Sequence, residues 1–316
     1  MDRKPITVRS YANIAIIKYW GKADAKTVTP ATSSISLTLE NMYTDTSLSA
    51  LPSTAVADEF YINGQRQSQA EHEKIGKVLD RYRPMGAGFV RVDTTNNMPT
   101  AAGLSSSSSG LSALVKACNL FFELGLSTKE LAQEAKLASG SSSRSFYGPL
   151  AAWDKDSGEI FPVKTDLQLA MIMLVLEDQK KPISSREGMK RCVETSTNFA
   201  EWIAQSEVDY KNMLQYLETN DFEKVGVLTE QNALAMHGTT KTATPAFSYL
   251  TEASYEAMDF VRKVRENGHA CYFTMDAGPN VKVLCLEKDL ENLVPIFEEK
   301  YRVIVSKTKD LTHDQV

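Results

Sequence analysis

The stretch PTAAGLSSSSSG, residues 99–110, sets five consecutive serines after a glycine. Serine is a poor residue inside a helix but a good one at its first turn, where the hydroxyl accepts from backbone N–H groups that lack other partners. A helix start lined with hydroxyls and amides favours negative charge, so the expected chemistry is a phosphate cradle. A flexible serine-rich linker or a merely well-capped helix is the plainer alternative, although five serines exceed what a cap requires. A second segment, ANIAIIKYWGK, places Lys18 and Lys22 around Tyr19 and Trp20, with Gly21 allowing a turn. A lysine held against apolar walls suits a phosphate or carboxylate; a strand end with a solvated lysine is the commoner arrangement. A third, SGSSSRS, concentrates hydroxyls around Arg144, whose planar fork pairs in bidentate fashion with either anion, unless the segment is only a polar turn. In KKPISSREGM, Ser184, Ser185 and Arg186 stand just before a helix, with Arg186 either a second phosphate clamp or a first-turn surface residue. The fifth, CYFTMDAGPNVKVL, puts Asp276 between an apolar strand and a turn, as a base, an orienting group or a turn cap. Near a lysine its ionised form is favoured. Two separate serine-rich anion candidates imply two phosphorylated ligands.

These residues need elements to hold them. GFVRVDTTNN alternates apolar and polar residues like a strand, broken by Asn96, Asn97 and Pro99. Beyond it, Leu104, Leu111, Val115, Cys118 and Phe122 are spaced as the seam of a core-facing helix. The serines thus sit at a strand-to-helix junction, with Gly103 at the turn. TVRSYANIAI, SSISLTLE and FYINGQRQ alternate as strands, and Asn63-Gly64 signals a hairpin. Ser127 and Glu130 form a capping box for a second helix, which ends in the Arg144 cluster. From about residue 166 the pattern is a strand (LQLAMIMLVLE), helices through Met236, a helix over 246–266 closed by Gly268, two strands, a helix and a last strand, RVIVSKT. That order is a split βαβ, ferredoxin-like layer. The expected fold class is α+β, with a β-rich half over residues 1–165 and a ferredoxin-like half over 166–316 sharing one cleft.

The chain has 316 residues, 42% hydrophobic and 24% charged, the make-up of an ordinary globular protein. A net charge of −5 argues against a nucleic-acid partner, so an anionic ligand must meet local positive groups. Cys118, Cys192, Cys271 and Cys285 lie far apart among apolar neighbours and are expected to be buried thiols in a reducing compartment. The start of the chain shows no signal peptide, and the longest apolar run, residues 169–176, fits a buried strand, not a membrane span. His72, His237, His269 and His313 show no paired metal spacing.

Taken in order, ANIAIIKYWGK, PTAAGLSSSSSG, SGSSSR, SSREGM and MDAGPN resemble the GHMP small-molecule kinase superfamily across nearly the whole chain. Within it, DAGPN and KYWGK resemble the diphosphomevalonate decarboxylases, whereas the five unbroken serines replace alanines found in many relatives. The resemblance implies the GHMP kinase fold and ATP-dependent conversion of (R)-5-diphosphomevalonate to isopentenyl diphosphate, ADP, phosphate and CO2. Phosphorylation makes the tertiary hydroxyl a leaving group, and its departure draws the carboxylate electrons into an alkene. By the same resemblance Asp276 and Lys22 are the catalytic residues, Asp276 acting on the 3-hydroxyl and Lys22 between that oxygen and the transferring phosphoryl group. Asn13 would meet the substrate carboxylate. Tyr19, Trp20, Gly21, Lys22, Ser139, Gly140, Ser141, Ser142, Ser143, Arg144, Ser185 and Arg186 complete the substrate site. Asn96, Pro99, Ala102, Gly103, Leu104, Ser105, Ser106, Ser107 and Ser108 would hold ATP. Mg2+ would bridge the nucleotide phosphates, with Ser106 or Ser107 and Asp276 as contacts. A cytoplasmic homodimer is also implied. The rivals are a kinase of the same superfamily that phosphorylates mevalonate or phosphomevalonate and stops, and a non-catalytic sensor binding ATP and an anionic metabolite.

Overall fold

The computed structural model describes residues 3–24, 27–98, 106–177 and 182–312, with Ser106 described in its backbone alone. The first half runs β1 (Ile6–Ile17), β2 (Lys22–Asp24), β3 (Thr29–Pro30), β4 (Ser34–Ala50), β5 (Glu59–Ile62), β6 (Gln65–Arg66), α1 (Gln69–Tyr82), β7 (Val90–Asn96), α2 (Ser106–Phe121), α3 (Thr128–Ala138), a 3₁₀ helix (Gly140–Phe146), β8 (Leu150–Trp153) and β9 (Ile160–Val163). Its seven-stranded sheet has the order β6-β5-β7-β4-β8-β9, with β1 antiparallel to β4. Asn63 and Gly64 both take positive φ in the β5–β6 hairpin, as that dipeptide demands. The capping box of Ser127 and Glu130 starts α3. Phe60, Leu79, Val92, Val115, Cys118, Leu131 and Trp153 bury α1, α2 and α3 against the sheet. Each fully buried large side chain contributes about 1.5–3 kcal/mol.

The second half runs β10 (Leu169–Val175), α4 (Ser185–Thr195), α5 (Phe199–Glu218), α6 (Phe222–Lys241), α7 (Glu252–Glu266), β11 (Tyr272–Met275), β12 (Val281–Leu286), α8 (Leu290–Glu298) and β13 (Arg302–Lys307). Its sheet, β11-β12-β10-β13, is antiparallel throughout and has the strand order of a split βαβ layer. Strand β10 is apolar on both faces because both are covered: Leu169, Met171 and Met173 join Ile14, Ile16, Met213 and Val225, while Ala170, Ile172 and Leu174 join Met258, Val261 and Phe297. The first of these cores is common to both sheets. A backbone hydrogen bond from Lys309 N to Thr38 O (2.8 Å) and a bridge between Leu39 and Thr308 join them at the edge.

The helix expected over 246–266 begins only at Glu252. Thr251 supplies the N-cap, its hydroxyl and that of Ser254 trading hydrogen bonds with each other's backbone N–H, so the apolar residues before it belong to an irregular approach. The four cysteines are free and buried. Among the described residues no helix is long and apolar enough to cross a membrane.

Candidate active site

The end of β1, the 3₁₀ helix and the turn after β11 meet at a cluster of buried charge. Lys18 is 2% exposed, and its Nζ donates to Asp276 Oδ1 at 2.8 Å and back to Ala15 O at 2.7 Å. Lys282 on β12, fully buried, lies 3.1 Å from Asp276 Oδ2. Asp276 keeps 22% side-chain exposure. Burial pushes its carboxyl pKa up, but the charges and hydrogen bonds of Lys18 and Lys282 outweigh that and hold it well below the usual carboxylate range. Burial lowers Lys18 to about 8 against the raising pull of Asp276.

Arg144 adds a third cation. It is buried, with Nε donating to Ser36 Oγ (3.0 Å) and a terminal nitrogen to Ser34 Oγ (2.6 Å), both on β4. Among the described residues no carboxylate pairs with it. Burial lowers it to about 10, which leaves it charged at neutral pH. Three buried cations therefore face one carboxylate, an imbalance that an anionic ligand would relieve. Asn13 on β1 donates to Ser141 O and Ser145 Oγ, both at 2.8 Å, so it ties the strand to the 3₁₀ helix. Its own Oδ1, the Tyr19 hydroxyl and Thr274 Oγ1 are buried without a protein partner among the described residues. Burial raises the Tyr19 phenol to about 12, so it is a donor. Its ring lies 5.1 Å from Trp153 and leaves room only for glycine at 140, since a Cβ there would come within 2.7 Å of the ring.

The SGSSSRS segment is thus a buried wall and not the polar turn that was its alternative reading: Ser142, Ser143, Arg144 and Ser145 are all buried. Ser142 and Ser143 donate to the carbonyls of Ser139 and Gly140, which engages their hydroxyls within the helix. Ser139 and Ser141 stay partly exposed, their hydroxyl oxygens 3.2 Å apart. Trp20 turns into the core, its Nε1 donating to Thr239 Oγ1 at 3.0 Å, so it supports the site from behind. Gly21 has φ +102°, and a Cβ there would strike Phe199. Lys22 is half-buried, with burial and the nearby Arg186 lowering its pKa. The lysine paired with Asp276 is Lys18, four residues earlier.

Within the described residues helix α2 runs Ser106–Phe121. Pro99, Ala102, Gly103, Leu104 and Ser105 lie outside the described residues. Ser107 is exposed, whereas Ser108 and Ser109 are buried: Ser108 Oγ accepts from Asn13 N at 3.4 Å, and Ser109 Oγ meets Thr44 Oγ1 at 2.7 Å. The run therefore splits into an outward part and a part that fastens α2 to the sheet. Ser107, Asn96, Gly110 and Arg186 line a cleft of about 550 Å³ walled by Ile75, Val78 and Leu111. Arg186, in the first turn of α4, lies between this cleft and the Lys22–Tyr19 side of the charged cluster. Ser185 is at the start of the same helix, capped by Ser184.

Residues 10–160 match the family model described as the diphosphomevalonate decarboxylase-like N-terminal domain, and residues 171–315 the mevalonate 5-diphosphate decarboxylase C-terminal domain. The chain belongs to the diphosphomevalonate decarboxylase family. The diphosphomevalonate decarboxylase of Aspergillus fumigatus is 32% identical, over 90% of this chain and 78% of its own. The mevalonate pyrophosphate decarboxylase from Streptococcus pyogenes is 67% identical, with a TM-score of 0.94 and 98% of each chain covered. A structure of MDDEF in complex with MVAPP, AMPPCP and magnesium is 39% identical, with a TM-score of 0.91 and 97% of each chain covered.

Within this family fold, the site contains residues that reading the sequence did not single out: Lys282, Ser34, Ser36 and Thr274, and Lys18 as Asp276's partner. Lys282 sits inside the apolar run VKVLCL, and a lysine where a strand is buried on both faces is the signal that could have exposed it.

Proposed function

We propose that the protein catalyses ATP-dependent decarboxylation of (R)-5-diphosphomevalonate to isopentenyl diphosphate, with release of ADP, phosphate and CO2. The observation that carries this reading is the buried cluster of Lys18, Lys282 and Arg144 around one ionised Asp276, beside a helix start rich in hydroxyls. Such a cluster suits a polyanionic substrate with a phosphoryl group arriving next to it. Arg144, Tyr19, Ser139 and Ser141 would bind the diphosphate, with Arg186 and Ser185 closing over it. Asn13 Oδ1 is an acceptor and its amide is already engaged, which favours a hydroxyl of the substrate over the carboxylate as its partner. Ser107, Asn96 and the 550 Å³ cleft would take the nucleotide.

Held so far below neutral pH, the Asp276 carboxylate is a weak base. Its part is to accept a hydrogen bond from the 3-hydroxyl and aim that oxygen at the γ-phosphoryl group, taking the proton only as the new O–P bond forms and the bond to ADP breaks, when that oxygen becomes strongly acidic. Lys18 and Lys22 supply positive charge to the oxygens that gain it. Phosphate then departs with the electrons of the C–O bond, and those of the bond to the carboxylate carbon form the alkene as CO2 leaves.

Among the described residues there is no group of three or more His, Cys, Asp or Glu that could hold a metal ion. Mg2+ would neutralise charge on the β- and γ-phosphates of the nucleotide. The hydroxyls opening α2 suit it better than Asp276, whose oxygens already face two ammonium groups.

The halves 1–165 and 166–316 are supported as units by the end of β9 at Val163 and the start of β10 at Leu169. A homodimer and a cytoplasmic location rest on the resemblance and are checked by light scattering and fractionation. The decisive assay supplies ATP and carboxyl-labelled diphosphomevalonate and follows ADP, phosphate and CO2 together. Equal amounts of all three are expected; ADP without CO2 would assign a kinase.

A further inference from the structure

Two polar side chains lie deep between α5 and α6, where packing alone calls for apolar ones: Asp209 is 3% exposed and Asn232 is 0% exposed. Burying such groups is costly unless their hydrogen-bonding capacity is used. Here it is used in a directed chain. Gln205 Nε2 donates to Asp209 Oδ1 (2.7 Å), Asn232 Nδ2 donates to Asp209 Oδ2 (2.8 Å), and the backbone N–H of Lys18 donates to Asn232 Oδ1 (2.8 Å). A backbone N–H can only donate and a carboxylate only accepts, so the amide between them has one orientation.

The chain ends where the sheet stops helping. Strand β1 finishes at Ile17, and its pairing with β4 is already irregular between Ala15 and Ile17. The Lys18 N–H has no strand partner, and Asn232 takes that place from the other half of the molecule. From this anchored backbone the Lys18 side chain folds back over Ala15 O and meets Asp276. Holding α5 to α6 would need only the Asp209–Asn232 contact; the bond to Lys18 adds nothing to it.

We propose that Asn232, oriented by Asp209, is a positioning residue that sets the Lys18 ammonium against Asp276 for the reaction proposed above. The proposal rests on that reading of the site, and three variants separate the two. Asn232→Ala should lose about 10²-fold in kcat per folded molecule, the scale of a displacement near 1 Å, with the KM for ATP within about twofold of wild type. Asn232→Asp should also lose turnover, because its carboxylate faces Asp209. The exchange Asp209→Asn with Asn232→Asp should recover most of it: Asp at 232 accepts from the Lys18 N–H, and Asn at 209 donates to it while still accepting from Gln205.

A second readout needs no catalysis. Acylation of Lys18 by an amine reagent, followed by mass spectrometry, should be slow in the wild type, fast in either single variant at 232 and slow again in the exchange. A wild-type protein without turnover would defeat the functional reading, while this labelling pattern would still establish the relay. Single variants that lose melting temperature but keep kcat and Lys18 protection would overturn the proposal, as would an exchange that recovers folding without recovering either. Should Asn232→Ala not fold, Asn232→Asp and its rescue carry the same test.

Discussion

Asp276 sits between two ammonium groups, and each partner limits what the other can do. Replacing it with Asn keeps the shape, removes the negative charge and leaves Lys18 and Lys282 without their counterion. Turnover should fall by about 10²-fold or more while ATP and substrate still bind, as single-turnover and binding measurements would show. Arg144→Ala should act differently, raising the substrate KM, because its guanidinium has no carboxylate partner among the described residues and is free to face an anion. Lys18, lowered to about 8, gives kcat/KM a fall above that pH in the wild type as the ammonium loses its proton. A different group governs stability on the acid side. His237 is buried near Lys18 and Lys282, and burial lowers it to about 3, so the native ring is neutral over a range where the unfolded ring binds a proton. Unfolding is therefore favoured progressively as pH drops below the ordinary histidine value of about 6.5, and stability rises with pH across that window. Asp276, whose native pKa is depressed, loses its contribution only at lower pH, as its carboxyl protonates. His237→Gln should flatten the decline in melting temperature between pH 6.5 and 4 relative to wild type, with both measured by calorimetry at each pH.

At the scale of elements, the site depends on how closely the 3₁₀ helix approaches the end of β1. Gly140 sets that distance: a methyl group there meets the Tyr19 ring at 2.7 Å, and the ring is backed by Trp153. Gly140→Ala should cost about 1–3 kcal/mol of stability through overpacking and raise the substrate KM, since Tyr19 and Arg144 shift together. An unchanged KM with lowered stability would separate packing from binding. The serine run divides in the same way. Ser109 holds α2 to β4 and Ser108 contacts β1, so Ser109→Ala should lower stability by roughly 1 kcal/mol with little effect on ATP binding, whereas Ser107→Ala should do the reverse. The residue types showed that α2 opens with hydroxyls; which of them face outward depends on how the helix is rotated against the sheet. Likewise SGSSSRS was legible as a cluster of hydroxyls and a guanidinium, but its burial was not, because the strands β1 and β4 that it packs against are distant in sequence.

Across the whole molecule, one core joins the two sheets, with Ile14, Ile16 and Leu37 of the first half packed among Met171, Met213 and Tyr272 of the second. Neither half can lose its structure without exposing the other's apolar face. Thermal unfolding should therefore be a single transition, with the near-ultraviolet signals of Trp153 and Trp202, which lie in different halves, changing at the same temperature. Two separated transitions would show that the shared core contributes less than each half's own. The pairing at the candidate site has the same origin: Lys18 belongs to the first half, Asp276, Lys282 and Asn232 to the second.

Local patterning carried the elements, because alternation and helical spacing follow directly from which faces are buried: β7, α2, the capping box of α3 and the order of elements along the second half could all be read from residue types. The segments SGSSSRS, DAGPN and the serine run were legible for a related reason, since phosphate and carboxylate chemistry needs hydroxyls, guanidinium and a carboxylate at turns and helix starts. The partners of those groups were decided by tertiary structure alone. Lys18 and Lys22 look alike in ANIAIIKYWGK, and only the packing of β1 against α6 and the turn after β11 selects the first as the partner of Asp276. Asp209 and Asn232 carried no local signal of function, and Lys282 only that of a lysine in an apolar strand, because a buried polar residue is distinguished from a surface one by what surrounds it, and for Asn232 those surroundings reach a backbone 214 residues away along the chain.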